Sequence, residues 1–156
     1  MNAKDLTKSI ISIGDLGLVS ELSIAESRLV FEQANQLMTL CLEQIPIQLP
    51  NSASVGVQVA RKYWFEKLGT SDELESALMS CLYSLKKDMA EVQPQTREHF
   101  AIRAVMCVLH GDFEKYYYGL GVQCFSNYLW AAFDGDADST QFSERIAKVV
   151  DSFFAG

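Results

Sequence analysis

Apolar residues recur at three- and four-residue steps along most of the chain, the spacing of one face of an α-helix. The clearest stretch runs from Ser71 to Ala90, with charged residues between the apolar positions. Thr70 and Glu73 have the spacing of a capping box, so this helix is predicted to begin after Thr70. Gly69 is predicted to end the preceding helix. The apolar stripe consists of Leu74, Ala77, Leu78, Cys81, Leu82, Leu85 and Met89.

The same periodicity predicts further helices. Ser23 and Glu26 form a second capping box, opening a helix through Cys41 that must end before Pro46, because proline disfavours helical conformation at the residue preceding it. Residues 50–52 are predicted to form a loop. The remaining predicted helices cover 55–68, 95–109, a C-terminal segment capped by Asp138 or Ser139, and a short segment in the first dozen residues. Residues 112–133 are predicted to form either one helix with a soft point at its glycines or two short helices.

These segments predict an all-α fold: a compact single-domain bundle of six or seven helices over residues 1–156. A length of 156 residues suits one domain with one core. The chain is 49% hydrophobic, and its 9 glycines and 3 prolines are too few for a turn-rich β architecture. No linker or change in composition marks a second domain.

The charge balance limits the classes of partner. Thirteen basic and twenty acidic residues give a formal net charge of −7, which argues against nucleic acids and anionic membranes, since both attract basic surfaces. No apolar run approaches the roughly 18–20 residues of a membrane-spanning helix. Residues 1–6 lack the apolar core of a signal peptide. We therefore expect a cytoplasmic protein.

The four cysteines lie in apolar helical stretches and are predicted to be buried, reduced thiols. They are Cys41, Cys81, Cys107 and Cys124. A zinc site at Cys107 and His110 is the alternative, but the chain has no CxxC pair and only 2 histidines. The same two residues have the spacing of a thiolate–imidazole pair, although their apolar neighbours favour a packed core. We predict no catalytic residue, metal or cofactor.

An acidic loop resembles the opening of a calcium site. Asp134, Asp136 and Asp138 alternate, as do the first oxygen ligands of an EF-hand. The pattern then fails, because Ser139 and Arg145 occupy the positions of the required glycine and glutamate. An acidic loop whose last aspartate caps the next helix is the favoured interpretation, and a weak cation site is the alternative.

Aromatic clusters with acidic neighbours indicate a protein-binding surface. Consecutive helical residues point about 100° apart, so three successive tyrosines cannot all face one core. Tyrosine and tryptophan anchor interfaces, and acidic surroundings suit a basic partner. The predicted partner-binding residues are Tyr63, Trp64, Glu66, Asp72, Glu73, Tyr116, Tyr117, Tyr118, Asp134, Asp136 and Asp138.

The stretch from Val59 to Leu74, with Ala60-Arg61 followed by Tyr63-Trp64 and then by Gly69, resembles a motif of small all-helical immunity proteins of bacterial polymorphic toxin systems. The segment 100–110, in which small residues and histidine recur, resembles a helix of the same proteins. The resemblance implies a cytoplasmic protein, not an enzyme, that binds and neutralises a cognate toxin.

The leading prediction is therefore an immunity protein that occludes the active site of a basic toxin. The first alternative is a small helical enzyme or metal-dependent hydrolase that uses the loop from Asp134 to Asp138 or the pair Cys107 and His110. The second is a homo-oligomeric regulatory adaptor, for instance a homodimer.

Overall fold

The computed structural model describes residues 24–45, 47–88, 96–111, 120–133 and 139–155. No described residue lies in a β-strand, so the predicted all-α class is confirmed. Over these ranges the chain forms six α-helices and one π-helical turn. In chain order they are α1 (Ile24–Leu42), α2 (Asn51–Arg61), the π turn (Lys62–Glu66), α3 (Ser71–Lys87), α4 (Arg97–Met106), α5 (Leu120–Phe133) and α6 (Ser139–Ala155).

Two of the predicted helix boundaries are confirmed. The Thr70 hydroxyl accepts a hydrogen bond from the Glu73 backbone N–H at 3.2 Å, and α3 begins at the next residue, Ser71. Helix α1 ends at Leu42, ahead of Pro46. Ser23, Asp138 and the first dozen residues, on which other boundaries were predicted, lie outside the described residues.

The entry to α2 differs from the prediction. The helix begins at Asn51 instead of Val55, so 51–52 form its first turn and not a loop. Pro50 is the N-cap residue, and its carbonyl accepts from the Ser54 N–H at 2.9 Å. A proline fits at the start of a helix because the backbone N–H it lacks has no intrahelical partner there.

Helix α4 is shorter than its predicted range and has a cap that the sequence pattern missed. The Thr96 hydroxyl accepts from the His99 backbone N–H at 3.3 Å, and the His99 Nδ1 accepts from the Thr96 N–H at 3.1 Å. This is a capping box with histidine in place of glutamate or glutamine. The His99 Nε2 lies 3.2 Å from an Asp88 carboxylate oxygen, which ties the start of α4 to the end of α3.

Buried residues from all six helices form one apolar cluster. Helix α4 packs most extensively against α5, and α2 against α3. Close approach at α2 depends on Gly56, where a Cβ atom would lie 2.8 Å from the Val105 Cγ1. The largest fully buried apolar side chains are Phe125, Leu37, Leu42, Leu74, Ile102, Leu109, Ile146, Val105 and Val108.

The cysteines are all free, but only three of them are buried. Cys41, Cys81 and Cys107 are core residues, whereas Cys124 is exposed on α5, so the prediction of four buried thiols is wrong at Cys124. The periodicity of α5 is ambiguous because apolar residues occupy most of its positions. None of the described helices has the length and apolar character needed to cross a bilayer.

Candidate functional site

The π turn from Lys62 to Glu66 interrupts the regular helical path after α2. A π turn closes its hydrogen bonds over five residues, and such turns are rare and frequently lie at functional sites. The Lys62 carbonyl accepts from the Lys67 N–H and, at 3.2 Å, from the Leu68 N–H. Lys67 adopts the left-handed conformation with φ 59°, which L-residues with a side chain seldom adopt. Gly69 was predicted to end this helix, and Lys67 does so instead.

Two long-range hydrogen bonds hold the π turn in place. The Trp64 indole N–H donates to the Val108 carbonyl at 2.8 Å, beyond the end of α4. The Gln36 side-chain amide, on α1, donates to the Trp64 carbonyl at 3.0 Å. Helix ends leave carbonyl groups without intrahelical partners, and these two side chains supply donors for them. The π turn is thus joined to α1 on one side and to the end of α4 on the other.

Three aromatic rings meet at this junction. The Tyr63 and Trp64 centroids are 4.8 Å apart, and those of Phe31 and Trp64 are 5.8 Å apart. Both pairs are edge-to-face, a preferred aromatic geometry worth about 0.5–1.5 kcal/mol beyond burial. Trp64 is 5% exposed, whereas Phe31 and Tyr63 are half-buried. The central indole therefore belongs to the core, and the outer two rings form a wall that reaches solvent.

A cleft of about 320 Å³ opens beside these rings, and we call it the aromatic cleft. Lys67 and Glu32 form an ion pair in its wall, and both side chains are partly exposed. A Cβ on Gly111 would lie 4.0 Å from the Tyr63 hydroxyl oxygen, which places that hydroxyl beside the Gly111 backbone. The lining residues are Phe31, Glu32, Tyr63, Trp64, Lys67, Gly69 and Gly111.

A second surface lies on α3. Asp72, Glu75, Met79 and Tyr83 recur at three- and four-residue steps and are all exposed, so they share one side of the helix. We call these four residues the α3 outer face. Met79 is 57% and Tyr83 69% exposed, and Leu68, just before the helix, is also 69% exposed. Met79 and Tyr83 together on one side of the helix make it a candidate surface for contact with another protein.

The structure brings some of the predicted partner-binding residues together. Glu66 and Asp72 are exposed, and the half-buried Glu73 carboxylate lies 3.6 Å from the Lys62 ammonium. Tyr63 lines the aromatic cleft. Trp64 is a core residue and not a surface anchor, because its ring is covered and its N–H is already bonded. Tyr116, Tyr117, Tyr118, Asp134, Asp136 and Asp138 lie outside the described residues.

The buried thiols are poor nucleophiles in this fold. Burial raises the pKa of the Cys41 thiol to about 12 and that of Cys81 to about 11. Burial, followed by the nearby Cys124, also raises the pKa of Cys107, whose Sγ donates to the Arg103 carbonyl at 3.4 Å. The thiolate is the reactive form, so Cys107 lacks the environment of a catalytic cysteine. Among the described residues, no three histidine, cysteine or acidic side chains are grouped as metal ligands.

Comparison with known protein families, with curated protein sequences and with solved structures finds no match to this chain. Sequence reasoning did not single out Leu68, Met79 or Tyr83. Met79 and Tyr83 interrupt the otherwise polar side of α3, and this signal is readable from helical periodicity alone.

Proposed function

We propose that this protein is a cytoplasmic immunity protein that neutralises a basic cognate toxin by binding it with the α3 outer face and covering the toxin's active site. The observation that carries the proposal is the exposure of Met79 and Tyr83 on the same side of α3 as Asp72 and Glu75. The resemblance of residues 59–74 to immunity proteins supports the same function. The acidic net charge of −7 also favours a basic partner.

The proposed interface has an apolar centre with acidic residues at its N-terminal end. Tyr83 and Met79 supply the centre, since large side chains buried on binding contribute most of the affinity of an interface. Asp72 and Glu75 place negative charge on the N-terminal side of Met79 and Tyr83, and Glu66 lies in the preceding π turn. The exposed Lys86 and Lys87 follow Tyr83 in the last turn of α3, so the negative charge is confined to the N-terminal end of the surface. Complementary charge accelerates association and penalises partners of the wrong sign. The half-buried Tyr63 and Glu73 extend this surface towards the aromatic cleft.

The α3 outer face lies on a helix that is capped and packed against the core. Helix α3 is capped by Thr70, and its opposite side buries Leu74, Ala77, Cys81 and Leu85 in the core. A surface on an ordered helix loses little conformational freedom on binding, which favours affinity. Inhibition by such a protein is stoichiometric, because one molecule covers one toxin active site.

The test has two stages. The tagged protein is first purified from cells that produce it naturally, and co-purifying proteins are identified by mass spectrometry. We expect one basic protein in equimolar amount. Its expression alone is then expected to arrest growth, and co-expression of the immunity protein to restore it. Recovery of the chain alone from toxin-producing cells, or a dimer that buries the α3 outer face, would overturn the proposal.

Charge-reversal variants test the assigned surface. The double variant Asp72→Lys/Glu75→Lys is expected to lower the association rate about tenfold or more at low salt, with a smaller effect at high salt. Tyr83→Ala and Met79→Ala are expected to accelerate dissociation. The matched control is Glu144→Lys/Asp151→Lys, which makes the same change in charge at exposed positions of α6. Equal effects of the α3 and α6 variants would rule out the assigned surface.

A further inference from the structure

The aromatic cleft contains features that partner binding by the α3 outer face does not use. It has an aromatic wall, a positive group and a negative group within one concave site of about 320 Å³. Ligand sites in proteins begin at about this volume, so the cleft suits a molecule about as large as a single amino acid. The two charged groups, Lys67 and Glu32, come from different elements and are brought together only by the fold.

The Lys67–Glu32 ion pair is easily opened by a ligand. The exposed fractions of the two side chains are 56% and 32%, and ion pairs that are open to solvent contribute only about 0–1 kcal/mol. A ligand with one positive and one negative group replaces this ion pair with two new ion pairs. The ammonium of the ligand pairs with Glu32, and its carboxylate pairs with Lys67. A ligand with a single charge leaves either Glu32 or Lys67 without its partner.

The walls of the cleft are organised in advance. Trp64 is held by hydrogen bonds to Val108 through its indole and to Gln36 through its carbonyl, and the rings of Phe31 and Tyr63 pack against it edge-on. The left-handed backbone conformation of Lys67, at the end of the π turn, sets the direction in which its side chain leaves the chain. A preformed wall loses little entropy when a ligand binds, and aromatic faces suit an aromatic or aliphatic group.

From these contacts we infer that the aromatic cleft binds a free amino acid with an aromatic or large apolar side chain. The α-ammonium pairs with the Glu32 carboxylate, the α-carboxylate pairs with the Lys67 ammonium, and the side chain packs against Phe31 and Tyr63. This inference uses no residue of the α3 outer face and does not depend on the proposed immunity function, although Tyr63 also lies in the extension of the partner-binding surface.

The experiment titrates the protein with L-phenylalanine and two analogues, and binding is read by calorimetry and by amide chemical shifts. L-Phenylalaninamide lacks the carboxylate and resembles the first residue of a peptide. N-acetyl-L-phenylalanine lacks the ammonium and resembles the last residue of a peptide. We expect saturable binding of the amino acid with a Kd of about 1 mM or tighter. Each analogue is expected to bind about tenfold or more weakly, the usual effect of losing a charge-assisted hydrogen bond.

Two variants assign each charge to its partner. In Lys67→Gln, phenylalanine is expected to bind no better than its amide, because the partner of the carboxylate is gone. In Glu32→Gln, phenylalanine is expected to bind no better than its N-acetyl derivative. Lys62→Gln is the matched control, since it removes a lysine from the exposed ion pair with Glu73 outside the cleft. It is expected to leave all three affinities unchanged.

Three results would overturn the inference. The first is the absence of saturable binding of phenylalanine and of L-leucine, its aliphatic counterpart, to the wild-type chain. The second is an analogue that binds as tightly as the amino acid, which would mean that the cleft accepts a peptide end. The third is equal behaviour of the Lys67 and Glu32 variants and the Lys62 control. All of these substitutions are at partly exposed side chains, and far-UV circular dichroism verifies their folding.

Discussion

The Trp64 indole N–H donates to the backbone carbonyl of Val108 at 2.8 Å, across 44 positions of sequence. This bond joins the π turn to the end of α4. There the backbone N–H groups of residues 107–109 donate to the carbonyl three residues earlier instead of four. The π turn and the end of α4 are therefore parts of one structural unit, although their sequences are far apart.

Trp64→Phe removes this bond and part of the buried ring. Because the Val108 carbonyl then loses its indole donor inside the core, we expect the free energy of unfolding to fall by about 2–4 kcal/mol. Urea denaturation measures the change. Tyr83→Phe, which alters an aromatic residue that is 69% exposed, is expected to stay within about 0.5 kcal/mol of wild type. A loss below about 1 kcal/mol for Trp64→Phe would contradict the role assigned to the bond.

Gly56 is expected to resist substitution by alanine despite its position inside a helix. Alanine normally stabilises such a position by about 1 kcal/mol, but here its Cβ would meet the Val105 Cγ1 at 2.8 Å and the Leu109 Cδ1 at 3.2 Å. Valine is β-branched and adapts poorly, so Gly56→Ala is expected to lower stability by about 1–2 kcal/mol.

The background variant Val105→Ala is the control for Gly56. It removes the nearest atom, so adding Gly56→Ala to it should be neutral or stabilising. The difference between the two backgrounds measures the coupling of the two sites. If alanine at position 56 costs the same with and without the valine, close packing against Val105 is not the reason for the glycine.

The left-handed backbone conformation of Lys67 is predicted to lower the free energy of unfolding, because a residue with a side chain adopts it at a steric cost. Lys67→Gly and Lys67→Ala both remove the ammonium, but only glycine adopts the left-handed conformation without steric cost. We expect the glycine variant to be more stable than the alanine variant by about 1 kcal/mol in thermal or chemical denaturation. At Glu75, inside α3, the same pair of substitutions should give the reverse order by a similar amount. The same order at both positions would contradict the assigned conformation.

The buried thiols predict a loss of stability at alkaline pH. Unfolding returns the Cys41 and Cys81 thiols from pKa values of about 12 and about 11 to the ordinary 9.0. Because the folded values are raised, the stabilisation is complete below pH 9 and is lost as the pH rises towards 11 or 12. Each buried thiol is expected to contribute a slope of about −1.4 kcal/mol per pH unit in that window.

The variant Cys41→Ala tests this slope. It is expected to flatten the pH dependence of the free energy of unfolding by about 1.4 kcal/mol per pH unit above about pH 9.5. Met38→Ala, in the same buried stripe of α1, should lower stability and leave the slope unchanged. If the slopes of the two variants agree, burial of the Cys41 thiol is not the source of the alkaline effect.

The helical class could be predicted from sequence because the buried stripes follow the helical repeat. Leu74, Ala77, Cys81 and Leu85 were predicted as one face of α3, and all four are buried. The Thr70 cap was predicted from its spacing to Glu73, because the bond it makes is local. Met79 and Tyr83 were missed, although their positions outside this stripe are visible in the sequence.

The aromatic cleft could not be predicted in the same way. Its shape depends on the bonds from Trp64 to Val108 and from Gln36 to Trp64, which join residues 44 and 28 positions apart. The pairing of Glu32 with Lys67 likewise depends on how α1 packs beside the π turn. No local pattern encodes these contacts, so Tyr63 and Trp64 looked alike in sequence and have different environments in the fold.

Because of the π turn, the aromatic cleft depends on the number of residues between positions 62 and 66 as well as on their identity. Deleting one residue between positions 62 and 66 would let an ordinary helix continue, turning every later side chain of that turn by about 100°. Lys67 would then no longer face Glu32, while the apolar repeat of the other helices would be unchanged. Among homologous helical bundles, a single insertion or deletion in this turn would therefore separate proteins that share the core but differ in whether they have the cleft.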